Sequence, residues 1–231
     1  MSERPPFPGK ALAEAGLNRQ FVFDLDALPA ATRQTLGDTI GFRQLILLGH
    51  GGRRLWERLQ AADPVGEHPI DDYTVRTVHA WLAEHLPGRA WRIVYPGEQP
   101  VGLQGLGKLA GWHHAAPFMV GIDAEWGSWY AYRAVVLVDF EFSAFFPVDR
   151  GNPCLNCAAT PCLAACPPGA LAGGRFDFAA CSGFRLQAAS PCAEGCLARQ
   201  ACPVGAEHRY APEQIAHSYR RSLAMLRQYR A

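Results

Sequence analysis

CLNCAATPCLAACPPGALAGGRFDFAACSGFRLQAASPCAEGCLARQAC, residues 154–202, holds all eight cysteines of the 231-residue chain. Its first run, Cys154, Cys157, Cys162 and Cys166 before Pro167, is C-x2-C-x4-C-x3-C-P. That is the C-x2-C-x2-C-x3-C-P run of bacterial two-cluster ferredoxins with two residues inserted. A looser set follows, Cys181, Cys192, Cys196 and Cys202, the last again before a proline, Pro203. Two four-cysteine clusters use every thiol. Small residues such as Ala158, Ala159, Ala164 and Ala165 let the backbone wrap a bulky metal group.

In two-cluster ferredoxins the Cys before Pro ligates the other cluster. Carried over, that rule assigns Cys154, Cys157, Cys162 and Cys202 to one four-iron, four-sulfur cluster and Cys166, Cys181, Cys192 and Cys196 to a second. The inserted residues and the irregular second half leave the division of Cys181, Cys192 and Cys196 open. Two four-cysteine zinc sites are the alternative, since C-x2-C also suits tetrahedral zinc. The second half, however, has C-x3-C and no knuckle, and the Cys-Pro endings favour iron and sulfur.

The remaining residues fit a globular protein with an apolar interior. Hydrophobic residues make up 49% and charged residues 19%, and the formal net charge of +1 gives no global attraction to nucleic acid or to an anionic membrane. The start, MSERPPFPGKALAEAG, has no apolar signal core, and no window approaches the ~20 apolar residues of a membrane helix. A cytoplasmic location is therefore expected, with no membrane partner and no clear nucleic-acid surface. Thiols confined to one quarter of such a chain point to metal, not disulfides.

The composition changes at FFPVDRGNP, residues 145–153, so two domains are expected, 1–148 and 149–231. Residues 1–40 read as a Pro-rich arm packed on the body, in which Phe21, Phe23 and Leu25 alternate as a strand does. FRQLILLGHGGRRLWERLQ reads as a strand over 45–48, a tight turn at Gly49-His50-Gly51-Gly52 and a helix. Strand, glycine turn and helix can cradle an anion, although no GxGxxG or Walker pattern is present. IDDYTVRTVHAWLAEHLPG is a helix capped by Asp71 or Asp72 and stopped at Pro87-Gly88, with Val75, Val78, Trp81 or Leu82 and Leu86 as its apolar stripe. RAWRIVYPG is a strand, LQGLGKL a short Gly-rich helix, and 130–142 a long apolar strand. APEQIAHSYRRSLAMLRQYR closes the chain as a helix with Ile215, Tyr219, Leu223 and Leu226 on one face.

Two stretches carry a family resemblance. PVGLQGLGKLAGW followed by IDAEWGSWYAYRAVVLVD resembles the glycine-rich helix, turn and long strand of epoxyqueuosine reductases and, more remotely, of reductive dehalogenases. CLNCAATPCLAACPPGAL with the later DFAAC is similar to the same family's ferredoxin insert. The resemblance covers about residues 40–205. It implies an α+β, nitroreductase-like body with a mixed sheet and flanking helices, related to CblC-type cobalamin-processing proteins, followed by a two-cluster ferredoxin-like segment. It also implies a base-off corrinoid between body and clusters, with a flavin as the second candidate. Where the family has a catalytic Asp, this chain reads WRIVYPGEQPV and offers only Glu98 nearby, off the expected position, so the resemblance does not extend to epoxyqueuosine reduction itself. Its length leads to the expectation of no helical-repeat domain of the kind which that family often uses for its RNA substrate.

The candidate proton donors are Glu98, Tyr95, His113 and His114, the histidines by their place in a loop. Gly127, Ser128, Trp129, Tyr130 and Tyr132 combine a glycine with aromatic faces against which a flat macrocycle can lie, and Arg133 can reach a phosphate or carboxylate. Two functions follow. One is an oxidoreductase passing single electrons from two clusters to a corrinoid in the body, with a redox partner supplying them. The other is an electron carrier that docks to a partner enzyme and holds no organic cofactor of its own.

Overall fold

The computed structural model describes residues 3–63, 66–143 and 145–230, the last by its backbone. The chain divides into two units, Met1–Trp112 with Tyr130–Asp149, and His113–Trp129 with Arg150–Ala231. The cysteine-bearing unit thus includes residues 113–129. The first unit is α+β. Its strands are β1 (Arg19–Asp24), β2 (Gln44–Gly51), β3 (Trp91–Tyr95) and β4 (Tyr130–Val138), and its helices α1 (Lys10–Glu14), α2 (Ala30–Gln34), α3 (Arg54–Ala61), α4 (Pro69–His85) and α5 (Leu103–Leu109).

The strand order is β1-β2-β4-β3, and every neighbouring pair is antiparallel. The expected mixed sheet is corrected here. β2 and β3 run in the same direction, as strands joined through helices do, but β4 inserts between them and no parallel ladder forms. All eight residues of β2 are buried because both faces of the sheet are covered. Ile46 and Leu48 pack with Val78, Trp81 and Leu82 of α4 on one face. Leu45 and Leu47 meet Phe21, Phe23, Leu106 of α5 and Trp112 on the other.

Two local expectations also change, and a third, the packed arm, holds. Gly49, His50 and Gly51 continue β2 instead of turning, because β4 pairs with them and the Asn18 side chain both donates to the Gly51 carbonyl (3.1 Å) and accepts from its N–H (2.8 Å). The turn falls at Gly52, whose φ of 70° is the left-handed value glycine tolerates, so no phosphate-type cradle forms at Gly49–Gly51. The N-terminal arm packs on the body, as expected. β1 pairs with β2 along its length, Phe7 packs on Trp81 (5.0 Å between ring centroids) and Phe142 (5.2 Å), and the Trp81 indole donates to the Pro8 carbonyl (2.9 Å). Finally, α4 begins at Pro69, so Asp71 and Asp72 lie in its first turn, where they favour the helix dipole without capping it.

Arg4 ties this edge down by donating to Asp24 and Glu141, while the buried Gln44 amide donates to Asp24 (2.7 Å) and the Phe142 carbonyl (3.0 Å). Burial pushes the Asp24 carboxyl up, but the Gln44 amide and the Arg4 guanidinium outweigh it and hold the group below the usual carboxylate range. A depressed folded pKa makes the contribution complete above the unfolded pKa of about 4 and lost as pH falls through the folded value. Urea unfolding of wild type should therefore weaken below pH 4, and Asp24→Asn should flatten that part of the profile.

The glycine-rich α5 has a packing cause. A Cβ on Gly107 would lie 1.8 Å from the Tyr132 hydroxyl and 2.5 Å from its ring carbon. Gly to Ala in a helix ordinarily gains about 0.5–1 kcal/mol. Here displacement of the Tyr132 ring should win, so Gly107→Ala is expected to cost about 1–3 kcal/mol in thermal unfolding.

Candidate metal centre

In the second unit, helices α6 (Pro161–Ala164), α7 (Phe178–Arg185), α8 (Leu197–Ala201) and α9 (Pro212–Arg230) are joined by turns. Pro161 opens α6, and Asp177 caps α7 by accepting from the Ala180 N–H (2.9 Å). Cys196 caps α8, its sulfur accepting from the Arg199 N–H at 3.4 Å. Tight turns here use left-handed backbone at Thr160, Gly169, Ala189 and Gly205.

None of the eight cysteines is in a disulfide. The chain folds them into two groups. Burial pushes the Cys154 thiol up to about 11, with Cys202, Cys162 and Cys157 adding like-charge repulsion. Cys162 is raised by burial and by Cys202 and Cys157. Cys181 is raised by burial and by Cys196, Cys166 and Cys192, and Cys192 by burial and by Cys196 and Cys166. Cys154, Cys157, Cys162 and Cys202 thus face one another, and so do Cys166, Cys181, Cys192 and Cys196.

Thiols that repel one another when ionised are the donor set a cation relieves. Backbone N–H groups also point at the sulfurs, from Leu163 at Cys162, Leu197 at Cys192, Arg199 at Cys196 and Val204 at Cys202. The second group surrounds a cavity of about 300 Å³ walled by apolar side chains such as Phe118, Phe176 and Phe184. Among the described residues no three His, Cys, Asp or Glu side chains converge where a single ion could sit. A four-iron cluster takes one thiolate per iron, so its ligands surround a volume, and the residues present fit such a group.

Residues 113–129 complete this unit. Backbone bridges pair His114 with Ile122 and Asp123 with Gly127, and the Asp123 carboxylate accepts from the Glu125 and Trp126 N–H groups (both 2.9 Å). Phe118 and Ile122 are buried with Cys162, Leu171, Ala198 and Cys202. Asn152 fastens the first cysteine by accepting from the Cys154 N–H (2.9 Å) while donating to the Ala115 carbonyl (3.0 Å). Gly127 sits against the chain just past Cys202, where a Cβ would lie 2.0 Å from the Val204 carbonyl oxygen.

The sequence-derived candidates fall in both units. His113 is buried and His114 half-buried in the second. Ser128 accepts from Arg199 through its hydroxyl (3.1 Å) and its carbonyl, and Trp129 is fully buried with the Arg199 guanidinium 4.4 Å from its ring. Tyr95, Tyr130, Tyr132 and Arg133 belong to the first unit. There the Arg19 guanidinium lies 4.7 Å from both the Trp112 and Tyr130 rings, Trp112 stacks on Tyr132, and Arg133 donates to His50 Nδ1 (2.9 Å). Burial pushes the Tyr95 hydroxyl up, against the opposing Arg133 charge, so it stays protonated at neutral pH. Glu98 is exposed in the bend after β3. Arg19 and His50 are additions. Both lie in strands, and nothing in the sequence separates a buried charge there from an ordinary edge residue.

No family model and no curated protein matches the chain. Solved structures do. Epoxyqueuosine reductase from Bacillus subtilis superposes with a TM-score of 0.54 at 12% identity, over 88% of this chain and 66% of that one. An epoxyqueuosine reductase with a modified tRNA-Tyr stem loop gives 0.54 at 13%, over 89% and 66%. The enzyme from Streptococcus thermophilus gives 0.50 at 13%, over 85% and 64%. The shared property is the fold, and this chain spans just under two thirds of the length of those enzymes. No helix among the described residues is long and apolar enough to cross a membrane.

Proposed function

We propose that the chain is an iron–sulfur oxidoreductase that delivers single electrons to a corrinoid associated with its first unit. The observation that carries this reading is the gathering of eight thiols into two facing groups of four, and the fold shared with epoxyqueuosine reductases supports the reductase class. When bound at the two groups, four-iron clusters supply one-electron transfer. The residues around them do the rest. Apolar side chains line the second group, backbone N–H groups stabilise charge on sulfur, and Asn152 fixes Cys154.

In the first unit Arg19, Trp112, Tyr130 and Tyr132 form a cationic aromatic layer suited to a flat, electron-rich ring. Arg133 sits beside it with Tyr95, whose protonated hydroxyl can donate to a ligand oxygen. His113 and His114 are the further proton donors of this reading. A one-electron donor protein is the partner it requires, in the cytoplasm, and a flavin is the second candidate ligand. The exposure of Glu98 favours the other reading, a two-cluster electron carrier, because a proton donor for a bound substrate is better shielded.

Hydroxocobalamin added to the anaerobically reduced protein separates the two. The reductase reading expects a spectral change to a base-off or reduced cobalt species and a complex that survives gel filtration, weakened at least tenfold by Arg133→Ala. A cluster-loaded protein that binds neither cobalamin nor flavin would leave the carrier reading standing.

A further inference from the structure

Arg185 and Arg199 are the charged side chains, besides the thiols themselves, in the wall of the cavity that the second cysteine group surrounds, and no described Asp or Glu lines it. Arg185 donates to the Cys192 carbonyl (3.2 Å), the Ser222 hydroxyl (3.1 Å) and the Tyr219 carbonyl (3.1 Å). Arg199 donates to the Ser128 hydroxyl and carbonyl and to the Tyr219 hydroxyl. All of these acceptors are neutral oxygens. A carboxylate would cancel most of a guanidinium charge, whereas neutral dipoles fix its position and leave the charge acting on its surroundings. Arginine also keeps its charge at any working pH. At the first group Arg209 acts on the Cys202 thiol as Arg185 acts on Cys181 and Cys192, so Arg199 in the cavity wall is the additional cation of the second group.

A four-iron cluster on four thiolates is anionic and gains one further negative charge on reduction, so nearby uncancelled cations favour the reduced form. We propose that Arg185 and Arg199 set the order of reduction: they hold a cluster on Cys166, Cys181, Cys192 and Cys196 at a higher potential than one on Cys154, Cys157, Cys162 and Cys202. The first electron to enter therefore rests at the second group. This rests on the two-cluster reading. In the step itself one electron passes from a one-electron donor, dithionite in the test, to the second-group cluster, with no bond made or broken. Both arginines are positioning residues.

The test is an anaerobic redox titration with dithionite and mediators, followed by EPR, on wild type, Arg185→Gln, Arg199→Gln and the two lysine variants. Iron is counted on each sample, and Cys154→Ala and Cys181→Ala samples give the separate spectrum of each remaining cluster. Wild type should reduce at the second group first. Each glutamine variant should move the electron at least tenfold towards the first group, about 59 mV for a one-electron couple, and the lysine variants should stay near wild type. If Arg185→Gln loses iron because its bridge to α9 is gone, Arg199→Gln decides alone. A fully loaded wild type that reduces at the first group first, or loaded glutamine variants with an unmoved distribution, would overturn the inference. A wild type that never holds two clusters would instead end the reading beneath it.

Discussion

Cys154→Ala combined with Cys166→Ala is expected to leave almost no iron, whereas Cys166→Ala combined with Cys181→Ala leaves about four of about eight irons per chain. The contrast follows from interleaving. Cys166 is four residues from Cys162 yet faces Cys181, Cys192 and Cys196, while Cys202, at the far end of the run, faces Cys154, Cys157 and Cys162. Removing one thiol from each group disables both sites. Removing two from one group spares the other. A contiguous division, with Cys166 grouped with Cys154, reverses both outcomes, so iron and acid-labile sulfide counts on the two double variants separate the arrangements without any functional assay.

Gly127→Ala should be the most damaging substitution outside the cysteines. Gly127 and Gly205 both take left-handed backbone, with φ of 59° and 62°, and they face each other. A Cβ at Gly127 would lie 2.0 Å from the Val204 carbonyl oxygen, and one at Gly205 2.4 Å from the Trp126 carbonyl carbon. Left-handed backbone with a side chain costs roughly 1–2 kcal/mol, and forcing two packed backbones apart adds about 1–3. The contact holds residues 113–129 against the chain just past Cys202, so the first thiol group should lose its geometry along with the stability. The unfolding temperature should fall by roughly 4–20 °C, with iron at the first group depleted. Gly173→Ala, where a Cβ meets nothing within 4 Å, should leave both unchanged and serves as control.

Local chemistry made much of this legible in the sequence. The alternation at Phe21 and Phe23, the stripe of α4 with its Pro87-Gly88 stop, and Pro212 at the start of α9 are signals written within a few residues of where they act. The proposed division of the thiols rests on ligand spacing and a following proline, which are local signals of the same kind. What escaped depends on distant partners. The strand reading at Gly49–Gly51 needs β4, more than 75 residues away, and the antiparallel sheet needs β4 between β2 and β3. Residues 113–129 join the cysteine unit through Phe118, Ile122 and Gly127, whose partners lie at 162–205. Arg199 stands near the cysteines in sequence, but only Ser128, Trp129 and Tyr219 fix where its charge sits.

The most direct test of the central claim is the iron and acid-labile sulfide content of anaerobically purified wild-type protein, read with EPR after reduction. A brown protein with about eight irons and eight sulfides per chain, and with the magnetic interaction of two neighbouring four-iron clusters, is the predicted result. A colourless protein carrying zinc and no acid-labile sulfide would contradict it.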